Sequence, residues 1–419
     1  MQTEIINIGD ELLIGQVINT NASWMSEQLN LAGFPVHRVT IVPDDPQQIL
    51  DALKESEHRS ELVILTGGLG PTPDDLTKDT LSKYFQTKLI FDPVTFQTIE
   101  KFFKARGFPV TEINRKQAEI PENCIAIPNE NGTAPGMWFE KEISGDKQKH
   151  VYVSMPGVPF EMKAMLGNKV IPRLKQYFQP VIVLHHTLLT QGLGESFLSG
   201  LIEDWETHLP ANLHLAYLPQ PGIVRLRLTG QGEDESLLQN QMDAEIAKLR
   251  PLIQDYIFGE GDATLEAVVG KLLKEKGHTL ATAESCTGGY IAHLVTSIPG
   301  SSFYFKGSII AYSNDIKMKE LGVRKKVLIE NGAVSEEVVK QMAANVRARF
   351  GTDYSIAVSG IAGPDGGTKD KPVGLTWIAI AGPSGVQAGK YLFGDNRERN
   401  IRRAALQALN LLRKAIIDL

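Results

Sequence analysis

Short apolar runs alternate with stretches of helical spacing through the first 170 residues. Glu4–Ile8, Pro35–Val42 and Glu61–Leu65 read as strands, with Asn21–Ala32 and Pro46–Glu57 as helices between them. This alternation predicts βαβ units on a mostly parallel sheet. Glycine-rich turns follow the strands, where open α/β sheets hold ligands. From about Val181 to Phe258 the texture changes: NLHLAYLPQPGIVRLRLTG reads as two strands about a turn, and a long helix runs from about Glu233 to Leu249. That pattern predicts a small α+β module. FGEGD (Phe258–Asp262) breaks both periodicities and is expected to be a linker. The pattern then restarts with a helix, Thr264–Lys276, closed by Gly277. Strands at His278–Ala283, Ser308–Tyr312, Tyr354–Val358 and Val373–Ala381 follow, with helices at Tyr290–Thr296 and Arg399–Ile417. The expected architecture is α/β in three parts, 1–180, 181–258 and 259–419.

The length of 419 residues agrees with two or three domains. A net charge of −6 gives no global attraction to nucleic acid or to an anionic membrane, so neither partner is expected. No apolar run reaches membrane-spanning length. The N-terminal MQTEIINIGDELLIG reads as a strand and lacks the features of a signal peptide, which makes the cytoplasm the expected compartment. Cys124 and Cys286 stand far apart and belong to no CxxC or Cys/His cluster, so neither a disulfide framework nor a zinc site is suggested.

The chemistry-bearing residues of the last third begin with Glu284-Ser285-Cys286-Thr287-Gly288-Gly289, at a predicted strand-to-helix turn. The N–H groups from Cys286 to Gly289 are expected to face Ser285 and could stabilise an acyl oxyanion. Equally, Ser285 or Thr287 could simply cap the helix. Lys317 could act as a base if burial lowers its pKa, or be a solvated helix lysine; Tyr312 could be a core aromatic or a hydrogen-bond donor. The loop Ser359–Gly367, with Gly360, Ala362 and Gly363, can wrap a phosphate or ribose, or be a plain turn. Arg397, Arg399, Arg402 and Arg403 open the last helix, as phosphate ligands or as an exposed basic end.

Taken together, AESCTGG, GAVSEEVV, SGIAGPDGG and KPVGLTW resemble the nicotinamide-nucleotide amidase domain of the CinA (competence/damage-inducible) family. The resemblance implies a Ser–Lys hydrolase that needs no cofactor and converts nicotinamide mononucleotide to nicotinate mononucleotide. It makes Ser285 the nucleophile, Lys317 the general base and Tyr312 a positioning or proton-relay group. Glu284, Cys286, Thr287, Gly288, Gly289, Gly360, Ala362 and Gly363 are expected to bind substrate. The family's GDR string is interrupted here by Asn396, so Arg397, Arg399 and Arg402 all remain phosphate candidates, with spacing favouring Arg402.

In the first third, Gly67, Gly68, Gly70 and Thr72 follow a predicted buried strand and suit an anion site. Asp74 and Asp75, with Asp10, could hold a divalent cation against phosphates, or cap helices. GDELLIGQVINTN, TGGLGPTPDDLT, NENGTAPG and MPGVPFEM resemble the N-terminal domain of the same family, on the molybdenum-cofactor fold of MogA- and MoeA-like proteins. That resemblance implies cation-dependent cleavage of ADP-ribose, with pterin or nucleotide binding without turnover as the alternative. The middle segment resembles the family's KH-like module. Gly192-Leu193-Gly194 lacks GXXG spacing, so nucleic-acid binding is not expected and a DNA-uptake role gains no support. Homo-oligomers are expected from the fold.

Overall fold

The structure is a computed structural model that describes residues 1–143 and 149–418. It divides into two compact units, Met1–Leu184 with Gln231–Glu235, and His185–Gly230 with Ser236–Leu419.

The first unit is built on six strands: β1 (Thr3–Ile8), β2 (Val36–Val42), β3 (Leu62–Thr66), β6 (Ile125–Ile127), β7 (Gly136–Lys141) and β8 (His150–Met155), in the order β2-β1-β3-β8-β7-β6. Two short intervening strands, β4 (Leu89–Phe91) and β5 (Glu119–Pro121), pair only with each other. β2, β1, β3 and β8 run parallel, while β7 and β6 are antiparallel. The parallel strands β1, β3 and β8 are buried along their whole length, as strands covered on both faces must be. Period-2 alternation divides their side chains between two cores. Ile5, Ile64 and Val153 face Met25 and Leu29, whereas Ile6, Val63, Leu65 and Tyr152 face Ile49 and Leu53. The helix Pro46–Ser56 starts where it does because Asp45 accepts from the Gln48 amide and Pro46 occupies its first turn.

The second unit holds most of one sheet and the whole of another. β9 (Ile182–Gln191), β10 (Leu213–Gln220), β11 (Ile223–Gly232) and β12 (Ile257–Glu260) form one, ordered β10-β11-β9-β12. β12 corrects the expected linker: two glycines mask a strand whose Ile257, Gly259 and Glu260 pair with β9. The other sheet holds β13 (Leu280–Glu284), β14 (Phe305–Ile310), β15 (Tyr354–Gly360), β16 (Leu375–Gly382) and β17 (Gly385–Leu392), ordered β14-β13-β15-β16-β17. β13 pairs parallel with β14 and β15; β16 and β17 are antiparallel additions. The two faces differ in kind. Leu280, Ile356, Val358, Ile378 and Ile380 point toward the helices Leu265–Glu275 and Arg397–Ile417. The opposite face shows Ala281, Ala283, Ala357, Ala379 and Ala381 to Val338, Val339, Met342 and Val346 of the helix Glu336–Phe350. Small side chains let that helix approach closely.

Candidate active site

The last residue of β13, Glu284, is fully buried. Its carboxyl oxygens accept the amides of Gly289 (3.0 Å), Ile291 (3.1 Å) and Ala292 (2.8 Å), the first turn of the helix Tyr290–Thr296. A carboxyl group at a helix N-terminus satisfies the orphan donors there. This corrects the expectation that Glu284 touches substrate, because all its reach is directed inward. It also narrows the set of donors around Ser285. The Gly289 amide goes to Glu284 and the Gly288 amide to the Ser285 carbonyl (3.0 Å). Of the four amides expected to face the serine, those of Cys286 and Thr287 alone have no acceptor among the described residues.

Lys317 lies on the helix Asn314–Leu321, which Ser313 caps by accepting from Ile316. The helix aims this side chain inward, where it is 1% exposed. Its Nζ lies 3.0 Å from Ser285 Oγ, 2.8 Å from the Ala311 carbonyl and 3.3 Å from the Tyr312 carbonyl. Burial holds the Lys317 ammonium below the ordinary lysine pKa. Burial pushes the neighbouring Cys286 thiol up to about 12.

Tyr312 is the residue expected as a positioning or proton-relay group. Only its main chain meets Lys317; its ring is 59% exposed and its hydroxyl accepts from Arg397 (3.0 Å). Arg397 also donates to the Gly363 carbonyl (2.7 Å), joining the closing helix to the glycine loop. Arg399 and Arg402 are exposed and their side chains make no hydrogen bond or ion pair among the described residues; Arg403 turns back to the Phe393 carbonyl. Of the three candidate arginines, Arg397 is the one whose side chain bonds to Tyr312 and to the glycine loop. Asn400, missed in the sequence, is buried and donates to the carbonyls of Ala362 and Gly394 (both 3.0 Å), fixing the loop. Gly360 must remain a glycine: a Cβ there would come within 3.0 Å of the Cys286 sulfur and 2.8 Å of the Leu375 carbonyl.

In the first unit, the turn after β3 also requires glycine. At Gly67, φ is +112° and a Cβ would lie 2.1 Å from the Ile8 carbonyl. The acidic residues here are less well gathered. Asp75 accepts from the Gly70 amide (2.7 Å), the Thr72 amide (2.9 Å) and the Thr72 hydroxyl, so the loop itself engages its carboxylate. It caps no helix, since Leu76 occupies that position for the helix Thr77–Tyr84. Gly68 sits against the Thr77 hydroxyl. Asp10 and Asp74 are exposed. A fourth carboxylate, Asp44, joins them by accepting from the Asp10 amide (3.2 Å). Burial, together with the charges of Asp10, Glu11 and Asp74, raises the Asp44 pKa. No trio of His, Cys, Asp or Glu stands at metal-ligand spacing among the described residues. Beside these residues a cleft of ≈ 230 Å³ is lined by Asn7, Glu11, Ile18, Asn21 and Thr66. The Oδ1 atoms of these two asparagines are buried and have no hydrogen-bond partner among the described residues.

Comparison with known proteins assigns the ancestry of all three segments. Residues 262–416 match the CinA C-terminal domain, 4–176 the probable molybdopterin binding domain and 185–259 the damage-inducible protein CinA KH domain. A CinA-like protein of Cytophaga hutchinsonii is 48% identical over 99% of this chain and 97% of its own. The chain belongs to the CinA family. A second CinA-like protein, from Flavobacterium psychrophilum, is 46% identical over 100% of this chain and 99% of its own. Among solved structures, competence/damage inducible protein CihA of Agrobacterium tumefaciens shares 37% identity, covering 36% of this chain and 93% of its own with a TM-score of 0.36. The CinA-family fold is thus mixed α/β, with a molybdopterin-binding-type domain, a KH-like module and the CinA C-terminal domain. No helix of the described residues is long and apolar enough to cross a membrane.

Proposed function

We propose that the C-terminal domain hydrolyses nicotinamide mononucleotide to nicotinate mononucleotide and ammonia. The observation that carries this reading is the buried Lys317 Nζ, 3.0 Å from Ser285 Oγ. A neutral lysine amine has two hydrogens and one lone pair. The carbonyls of Ala311 and Tyr312 accept the two hydrogens, leaving the lone pair for the Ser285 hydroxyl to donate to. Ser285 Oγ then bonds to the carboxamide carbon as its proton passes to Nζ. The amides of Cys286 and Thr287 donate to the oxyanion. Lys317 returns the proton to the departing nitrogen, ammonia leaves, and an acyl-serine remains. Water, deprotonated by Lys317, cleaves that ester, releasing the carboxylic acid and restoring Ser285.

Two further features favour a pyridine nucleotide over a simple amide. Arg397 presents a guanidinium where a phosphate would be held, and the exposed Tyr312 ring offers a face to a cationic pyridinium. The test is to incubate purified protein with nicotinamide mononucleotide and assay ammonia and nicotinate mononucleotide. Absence of both products sinks the reading.

For the N-terminal domain the proposal is cation-dependent cleavage of the ADP-ribose pyrophosphate. Magnesium is usually held by one or two carboxylates together with phosphate oxygens. Asp10 and Asp44 suit such a pair, and a cation would offset the burial and, after it, the repulsion that raise the Asp44 pKa. Its chemistry would be to neutralise charge on the pyrophosphate. Asp75 does not fit the role, because its loop already engages it. The unpartnered amide oxygens of Asn7 and Asn21 favour the other reading, retention of an amino-bearing heterocycle without turnover. Release of AMP from ADP-ribose, abolished by chelator, decides between them.

A further inference from the structure

At its far end the closing helix carries a second arginine with unusual surroundings. Arg413 is nine-tenths buried, yet no carboxylate pairs with it among the described residues. Its one hydrogen bond runs from Nε to Asn410 Oδ1 (2.9 Å). Asn410 Nδ2 donates to Gln191 Oε1, and Gln191 Nε2 donates to Gln407 Oε1 (2.8 Å). A chain of amides, buried at Asn410 and Gln191, thus fixes the guanidinium by its Nε edge and leaves the terminal nitrogens unclaimed among the described residues. The helix end is not what they serve. Its carbonyls at Lys414, Ala415 and Ile416 already accept from the Asp418 amide, the Tyr354 hydroxyl and Lys276 Nζ.

Arg413 opens on a cleft of ≈ 630 Å³ that Arg250, Lys414, Asp255 and Asp418 also line. A second hollow of ≈ 300 Å³ shares Lys414 and Asp418 with it. This neighbour is more enclosed and less charged, with Tyr354, Tyr391, Ile380 and the glycine backbone of the β16–β17 turn in its wall. A preoriented guanidinium fork beside an aromatic slot suits one kind of small molecule: an oxyanion attached to a planar ring.

We infer that this double hollow is a mononucleotide site, separate from the Ser285 centre. The phosphate sits on Arg413 with Lys414 and Arg250, the ribose hydroxyls donate to Asp418 or Asp255, and the base lies against the part-exposed Tyr391 ring, above the buried Tyr354. Arg250 already pairs with Glu260, so Arg413 supplies the free fork. Burial also lowers the Arg413 pKa, a cost that an incoming anion removes. The site is remote from the serine. Arg413 stands sixteen residues along the helix from Arg397, or ~24 Å at 1.5 Å per residue. The inference is independent of the reaction assigned to Ser285.

Calorimetric titration of the full chain with AMP, adenosine and inorganic phosphate tests it. AMP should bind the wild type and the Arg397→Met variant alike, more tightly than phosphate alone, while adenosine binds at least about tenfold more weakly. Arg413→Met should weaken AMP at least about tenfold. Arg413→Lys, which keeps the charge and loses the fork, should weaken it too. Melting temperatures identify any variant that fails to fold. If Arg413→Met does not fold, Arg413→Lys and the exposed Lys414→Glu carry the test. Equal AMP affinity in the wild type and the folded Arg413 and Lys414 variants overturns the inference, as does absence of AMP binding to the wild type. Adenosine binding as tightly as AMP overturns the phosphate-anchored arrangement.

Discussion

The two candidate sites share a plan and differ in what their polar groups are committed to. Each lies beyond the ends of parallel strands, at a glycine-bearing turn. In the C-terminal domain, Glu284 engages the helix amides, so that two amides, one hydroxyl and one amine stay available. In the N-terminal domain the carboxylate most suggestive in sequence, Asp75, is the one engaged by its own loop. The remaining acids there are exposed or repel one another. A buried, bonded reactive pair is ready for chemistry before substrate arrives, whereas a set of repelling acids needs its ligand to complete it.

The sharpest way to break this comparison is Ser285→Ala. Deamidase activity should fall at least about a thousandfold, the scale on which serine hydrolases lose rate with their nucleophile, while ADP-ribose cleavage stays unchanged. Parallel loss of both activities would mean that the sites are not independent. Lys317→Arg comes next, with an expected loss of about 10²- to 10⁴-fold, because arginine cannot take the serine proton. In the wild type, deamidation should rise with pH as the lysine deprotonates. Since burial lowers that pKa, the rise should be complete below the range of an ordinary lysine. A pH-rate profile with its midpoint at or above the ordinary value contradicts the base assignment.

Smaller effects sharpen the contrast. Arg397→Ala should cost roughly ten- to a hundredfold in kcat/KM for nicotinamide mononucleotide, and Arg402→Ala little. Steady-state kinetics on both variants, with the riboside as the phosphate-free control, would reveal a reversed order. In the N-terminal domain, Asp44→Asn should reproduce the effect of chelator on ADP-ribose cleavage. Asp75→Asn should instead act on stability, at about 1–3 kcal/mol for a broken set of loop hydrogen bonds, read as a shift in denaturant midpoint. An Asp75→Asn variant of unchanged stability but no cation dependence would restore Asp75 as a ligand.

Legibility in the sequence followed the same division. The helix Tyr290–Thr296 has its predicted bounds, and β1, β3 and β15 differ from prediction by one or two residues, because continuous burial writes a dense apolar signal. β12 and β17 were hidden: the first is short and glycine-bearing, and the second alternates weakly as an exposed edge. Ser285 and Lys317 were nameable through the resemblance, but their 3.0 Å approach depends on two elements 32 residues apart. Asp44 reads locally as an ordinary acid before a helix, and only the β1–β2 pairing brings it to Asp10. Glu284 was misread because a motif shows which residues travel together, not which way each one faces.

The alanine face under the helix Glu336–Phe350 has a kinetic corollary. Closely packed strands with no space for water exchange their amide hydrogens only when the whole domain opens. β13 and β15, which end at the serine turn and the glycine loop, should therefore be the slowest-exchanging segments of the chain. The platform beneath the serine would stay closed throughout turnover, and any motion that admits substrate would fall to the loops above it.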